Sequence, residues 1–79
     1  MQVTKTYLHE TLTMLAEEYD DKDILTDGAR MDARVNLWYD ALNAYPYKLV
    51  DAAVANVMRT LPFRPKLADI CNEIKRLQS

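Results

Sequence analysis

The chain has 79 residues, 49% hydrophobic and 28% charged, with one glycine, three prolines, one cysteine and a formal net charge of −2. That composition fits one small, helix-prone domain spanning 1–79 and excludes a disordered chain or two separate cores. No stretch approaches the roughly 20 apolar residues of a membrane span, no signal-peptide core follows the first residues, and a lone His9 and Cys71 make neither a zinc site nor a disulfide. A cytoplasmic chain without metal or cofactor is expected. The charge is two-ended: residues 1–27 hold seven acids against Lys5 and Lys22, whereas residues 28–79 hold eight bases against five acids.

Tyr7, Leu8, Leu12, Leu15 and Tyr19 recur at helical spacing and predict a first helix over 4–19, with Thr4 or Thr6 as N-cap. It runs into Asp20-Asp21-Lys22-Asp23, whose acids are badly placed at the negative end of the helix dipole and help to stop it. Ile24-Leu25 is a short apolar step in a polar connector, read as irregular chain that tucks two side chains against the core. Asp27, before Gly28, can cap a second helix whose stripe is Met31, Val35, Trp38, Leu42 and Tyr45, about 28–44. Pro46 fits the first turn of a third helix over 46–60, and Leu49, Val50, Ala53, Val54, Val57, Met58 and Leu61 form its broad apolar face. Leu61-Pro62 and Arg64-Pro65 must end it, because the residue before a proline is pushed out of the helical region, leaving Phe63-Arg64 extended. Leu67, Ile70, Ile74 and Leu77 predict a last helix over 66–78, with Lys75 and Arg76 suited to its final turn. The fold class expected is all-α, a compact bundle of about four helices.

Little in the chain points to catalysis. His9 follows Leu8 of the first stripe and reads as a solvated or half-buried histidine; Cys71 follows Ile70 and reads as a small buried thiol with no neighbouring base. The acids from Glu17 to Asp27 lack the central glycine and closing glutamate of a calcium loop, and Gly28, the only glycine, makes no phosphate cradle. The third and fourth predicted helices fit a helix-turn-helix poorly: Arg64, Lys66, Lys75 and Arg76 could meet phosphate, but two prolines fill the connector and Asp69 and Glu73 would face the bases. Aromatic residues are more telling. Trp38 and Tyr45 lie on the apolar stripe, whereas Tyr39 and Tyr47 lie off it, where they either roof the small core or form a contact surface.

The order Trp38-Tyr39, Ala41-Leu42, Tyr45-Pro46-Tyr47, Val50, Ala53-Val54, Val57, Thr60, Phe63-Arg64-Pro65 and Leu67-Ala68-Asp69-Ile70 resembles the N-terminal domain of bacteriophage replicative helicase loader/inhibitor proteins. The resemblance implies a small helical, non-enzymatic adaptor that binds a hexameric replicative helicase or its loader, holds the helicase inactive and helps deliver it to a phage origin. The resemblance also implies a long flexible C-terminal segment, involved in helicase contact, after such a domain. This chain ends at Ser79, as the folded portion of a longer protein or as a short relative whose folded domain does the binding. The expected partner surface is Tyr39, Tyr47 and Phe63 with the flanking bases Arg59, Arg64 and Lys66. A competing reading is a small DNA-binding replication or regulatory module using the same bases, and a third is self-association through an apolar face.

Overall fold

Five helices follow one another in residues 2–79, the part of the chain that the computed structural model describes: α1 (Lys5–Glu18), α2 (Lys22–Thr26), α3 (Gly28–Leu42), α4 (Tyr47–Thr60) and α5 (Leu67–Gln78). Beyond them the described residues hold one isolated antiparallel bridge, between Gln2 and Pro46. The fold is all-α, with the four long helices where the apolar periodicity puts them. No helix is long and apolar enough to cross a membrane among the described residues.

Local chemistry sets the ends. The Thr4 hydroxyl accepts from the Tyr7 amide at 3.1 Å, so Thr4 is the cap of α1. At the other end Asp20 adopts a left-handed φ of 58°. The Asp21 amide reaches back to the Ala16 carbonyl at 2.7 Å and the Asp20 amide to that of Glu17 at 3.4 Å, the pairing of a Schellman turn. The acidic run therefore ends α1 through backbone geometry as well as through charge. Asp tolerates that conformation better than most side chains, though less well than glycine.

The segment Lys22–Thr26, read from sequence as irregular, is a one-turn helix, too short for a period to show. It buries Ile24 (4% exposed) but leaves Leu25 42% exposed, so one side chain of the pair enters the core rather than both. The Asp27 carboxylate accepts from the Arg30 amide at 3.2 Å and starts α3, which buries Met31, Val35, Trp38 and Leu42. Helix α3 stops at Leu42, two residues early, where the Asn43 side chain donates to the Tyr39 carbonyl at 2.9 Å. Pro46 stands just outside α4 at its N-cap, with its carbonyl accepting the Leu49 and Val50 amides. The connector bends at Pro62–Phe63 instead of running straight through Phe63-Arg64. At the start of α5 the Asp69 carboxylate accepts from the Lys66 amide at 2.9 Å; the Lys66 ammonium has no lone pair and cannot return the bond.

Helix α1 packs on α3 with α2 touching both, and α4 packs on α5. The two groups share one apolar cluster, to which α1 gives Leu8, Leu12 and Leu15, α3 gives Trp38 and Leu42, α4 gives Val50 and Val54, and α5 gives Ile70 and Ile74. Polar links cross the seam between them: the Tyr7 hydroxyl donates to Asp51 at 2.9 Å, the Tyr19 hydroxyl lies within reach of the Leu61 and Met58 carbonyls at 3.4 and 3.5 Å, and Asp21 pairs with Arg64.

Candidate partner-binding surface

The six side chains expected to form a contact surface fall into three places. Tyr39 and Tyr47 lie toward the amino-terminal end of α1. The Lys5 ammonium sits 5.2 Å from the centroid of the half-buried Tyr39 ring, and Tyr47 meets Tyr7 edge to face at 4.8 Å. Arg59 is on the last turn of α4 and donates to the Asn56 side chain. That amide in turn donates to Glu73 of α5 at 3.0 Å, and Glu73 forms a two-bonded pair with Arg76. The Arg76 guanidinium, followed by the Asn56 amide, holds the Glu73 carboxyl down at about 2. Arg59 thus belongs to a polar clasp of the α4–α5 hairpin.

Phe63, Arg64 and Lys66 occupy the connector. Phe63 is 54% exposed, a large ring left in water, and Lys66 is exposed. Arg64 is different, because its guanidinium is engaged in part by Asp21, both side chains being mostly buried at 32% and 23% exposure. Asp21 reaches it because the Schellman turn swings the chain back toward the connector. The carboxylate that could have capped α2 makes no cap bond and serves Arg64 instead.

Beside this pair lies a groove of about 250 Å³, lined by Arg34, Leu37 and Trp38 of α3 and by Arg64, Pro65, Lys66 and Leu67. Trp38 and Pro65 are buried, whereas Leu37 is 59% exposed, the most open large apolar side chain among the described residues. Arg34 is half-buried and makes no hydrogen bond or ion pair among the described residues. Burial first, and then the facing Arg64 guanidinium, lower its proton affinity, while Asp21 raises it. Its tendency to stay charged is nonetheless so strong that it remains a cation at neutral pH.

The sequence reading missed Arg34 and Leu37. The available signal was their position off the Met31–Val35–Trp38–Leu42 stripe. Leu37 in particular is a large apolar residue on the wrong face of an otherwise well-patterned helix.

Two other hollows are less suited to a protein partner. One of about 510 Å³ between α1 and α3 mixes Lys5 and His9 with Glu10 and Asp32 and offers Val35 as its apolar lining; another of about 320 Å³ is the polar clasp of Asn56, Arg59, Thr60, Glu73 and Arg76. His9 is exposed, and Cys71 is only partly buried, a thiol more open than its place beside Ile70 suggests.

Comparison with protein families matches residues 4–71 to the family of the phage helicase loader/inhibitor N-terminal domain. The match runs from the cap of α1 into the first turns of α5, and so takes in both sides of the groove. No curated protein and no solved structure matches the chain.

Proposed function

The chain belongs to that family, the N-terminal domain of phage helicase loader/inhibitor proteins, and on this premise we propose that it is a non-enzymatic adaptor of DNA replication that docks on a hexameric replicative helicase in the host bacterial cytoplasm. The observation that carries the reading is the extent of the family match, residues 4–71, covering nearly the whole folded chain.

The surface supports it. A protein contact needs apolar side chains left in water beside charges that select the partner. Leu37 and Phe63 stand open near Arg34, Arg64 and Lys66 on and around one connector. We place docking there rather than at Tyr39 and Tyr47, whose rings are partly engaged by Lys5 and Tyr7.

The test is size-exclusion chromatography with light scattering of the chain mixed with a host hexameric helicase, with and without ATP, and with duplex DNA as a separate arm. Co-elution with the helicase is the expected result; a shift with DNA alone would sink the adaptor reading. To locate the surface, Phe63→Ser combined with Lys66→Glu is expected to weaken the complex at unchanged helical content. Reversing Arg64 is a poorer probe, because a glutamate there would face Asp21 and destabilise the seam.

A further inference from the structure

The two helix groups carry opposite charge: Lys5–Leu42 holds nine acids against four bases, and the rest of the chain three acids against six bases. Across such a seam opposite charges should meet, as Asp21 and Arg64 do. The groove breaks the rule. There α3, on the acidic side, presents Arg34 toward Arg64, so two guanidiniums share the carboxylate of Asp21, while the exposed Lys66 lines the rim of the same hollow. Like charges gathered in a half-buried place cost folding energy unless something else answers them.

We infer that this groove receives an acidic peptide segment of a partner protein, which brings a carboxylate to Arg34 and Arg64 and lays a neighbouring large apolar side chain on Leu37. Three observations converge on that occupant. Arg34 has no partner among the described residues, and Arg64 gives one Nη1 donor to Asp21, leaving its remaining N–H groups for a second carboxylate. Asp21 shows that the Arg64 guanidinium takes a carboxylate partner in this half-buried setting, though from beside the groove and not from within it. Finally, the cations lie against an apolar floor and wall of Trp38, Pro65 and Leu37, surface that a nucleic-acid backbone would leave unused and a peptide side chain would cover. That the segment belongs to a helicase rests on the function proposed above; the chemistry of the groove does not.

The experiment is an NMR titration of the isotope-labelled chain with the blocked peptide acetyl-Asp-Glu-Leu-Phe-Asp-Glu-amide, using its Asn/Gln counterpart as the uncharged control. The acidic peptide is expected to move the signals of Arg34, Leu37, Leu67 and the Trp38 indole, and the control to leave them in place. Arg34→Gln should weaken binding about tenfold and Leu37→Ser about threefold, with helical content unchanged in both. Asp21→Asn is the discriminating variant: it should tighten peptide binding about threefold by freeing Arg64, even though the fold loses an ion pair. Shifts centred elsewhere, indifference to Arg34→Gln and Leu37→Ser, or weaker binding in Asp21→Asn would each overturn the inference, as would a short DNA duplex moving the same signals more tightly than the peptide. The same variants are then run against the hexameric helicase. A wild-type chain that ignores the helicase but binds the peptide removes the helicase reading and leaves the groove standing. Helicase binding undisturbed by both Arg34→Gln and Leu37→Ser removes the groove and leaves the helicase reading standing.

Discussion

The α1–α3 group and the α4–α5 hairpin are built differently. In the first group, Thr4 and Asp27 cap α1 and α3 through their side chains, and Asp20 and Asp21 turn the chain between α1 and α2 through their backbone amides. In the second, prolines mark them, with Pro46 preceding α4 and Pro62 and Pro65 dividing α4 from α5, where the Asp69 carboxylate also closes the first turn of α5 onto the Lys66 amide. The charge asymmetry is spread through the elements themselves: Glu10, Glu17, Glu18, Asp32 and Asp40 lie on α1 and α3, and Asp20, Asp21 and Asp27 at their ends. Oppositely charged halves attract across the seam, and the groove where Arg34 of the acidic half faces Arg64 of the basic half stands out for that reason.

The strongest way to break this comparison is to hollow out one half at a time. Leu42→Ala in α3 and Ile74→Ala in α5 each remove fully buried side-chain volume, and each is expected to cost about 2–5 kcal/mol. Because both side chains belong to one apolar cluster, urea unfolding followed by Trp38 fluorescence should coincide with unfolding followed by helical circular dichroism in both variants. Separate transitions would show that the halves melt independently.

A smaller change tests the seam directly. Tyr7→Phe deletes the hydroxyl that donates to Asp51, at a cost of about 1 kcal/mol in chemical denaturation. Burial first, and the Asp51 carboxylate among the other causes, push the Tyr7 hydroxyl well above its ordinary value near 10, while Thr11 acts the other way. The folded state therefore holds this proton more tightly than the unfolded chain. Its contribution is complete below pH about 10 and is lost as pH rises beyond that, and Tyr7→Phe should remove this part of the alkaline instability.

The sign reverses at the α1–α2 turn. Asp20→Gly relieves a left-handed side-chain residue and removes an acid from a helix C-terminus, so thermal unfolding should show a gain of about 0.5–1 kcal/mol, less the added freedom of the unfolded chain.

The subtlest effect belongs to the hairpin clasp. With Glu73 held at about 2, its stabilising interaction is present above its usual carboxylate range and fades as pH falls toward 2. Glu73→Gln should flatten the acid limb of stability in that window without moving the alkaline one. An unchanged acid limb would show that the charge of Glu73 adds nothing to the hairpin.

Much of this was legible in the sequence. The stripes Leu8–Leu12–Leu15, Met31–Val35–Trp38–Leu42 and Ile70–Ile74 are buried as their spacing requires, because a 3.6-residue period determines which face is apolar before any neighbour is known. The caps Thr4 and Asp27 were readable for the same local reason. The one-turn α2 was not, since five residues are fewer than any period can mark, and neither was the division of Ile24 from Leu25 between core and water.

For the surface the line falls in the same place. Off-stripe position announced that Tyr39 and Tyr47 were candidates for something other than the core, and the same signal at Leu37 went unused. It could not show that Lys5 would sit over Tyr39 or that Tyr7 would meet Tyr47. Nor could it show that Arg59 would join a clasp, that Arg64 would take Asp21 from far up the chain, or that Arg34 would face both. The sequence by itself determined the four long helices, their apolar faces and the family. Only the tertiary structure decided which charges meet, because that depends on how far each helix slides and turns against its neighbour, and long-range side-chain packing sets those displacements while local periodicity carries no information about them.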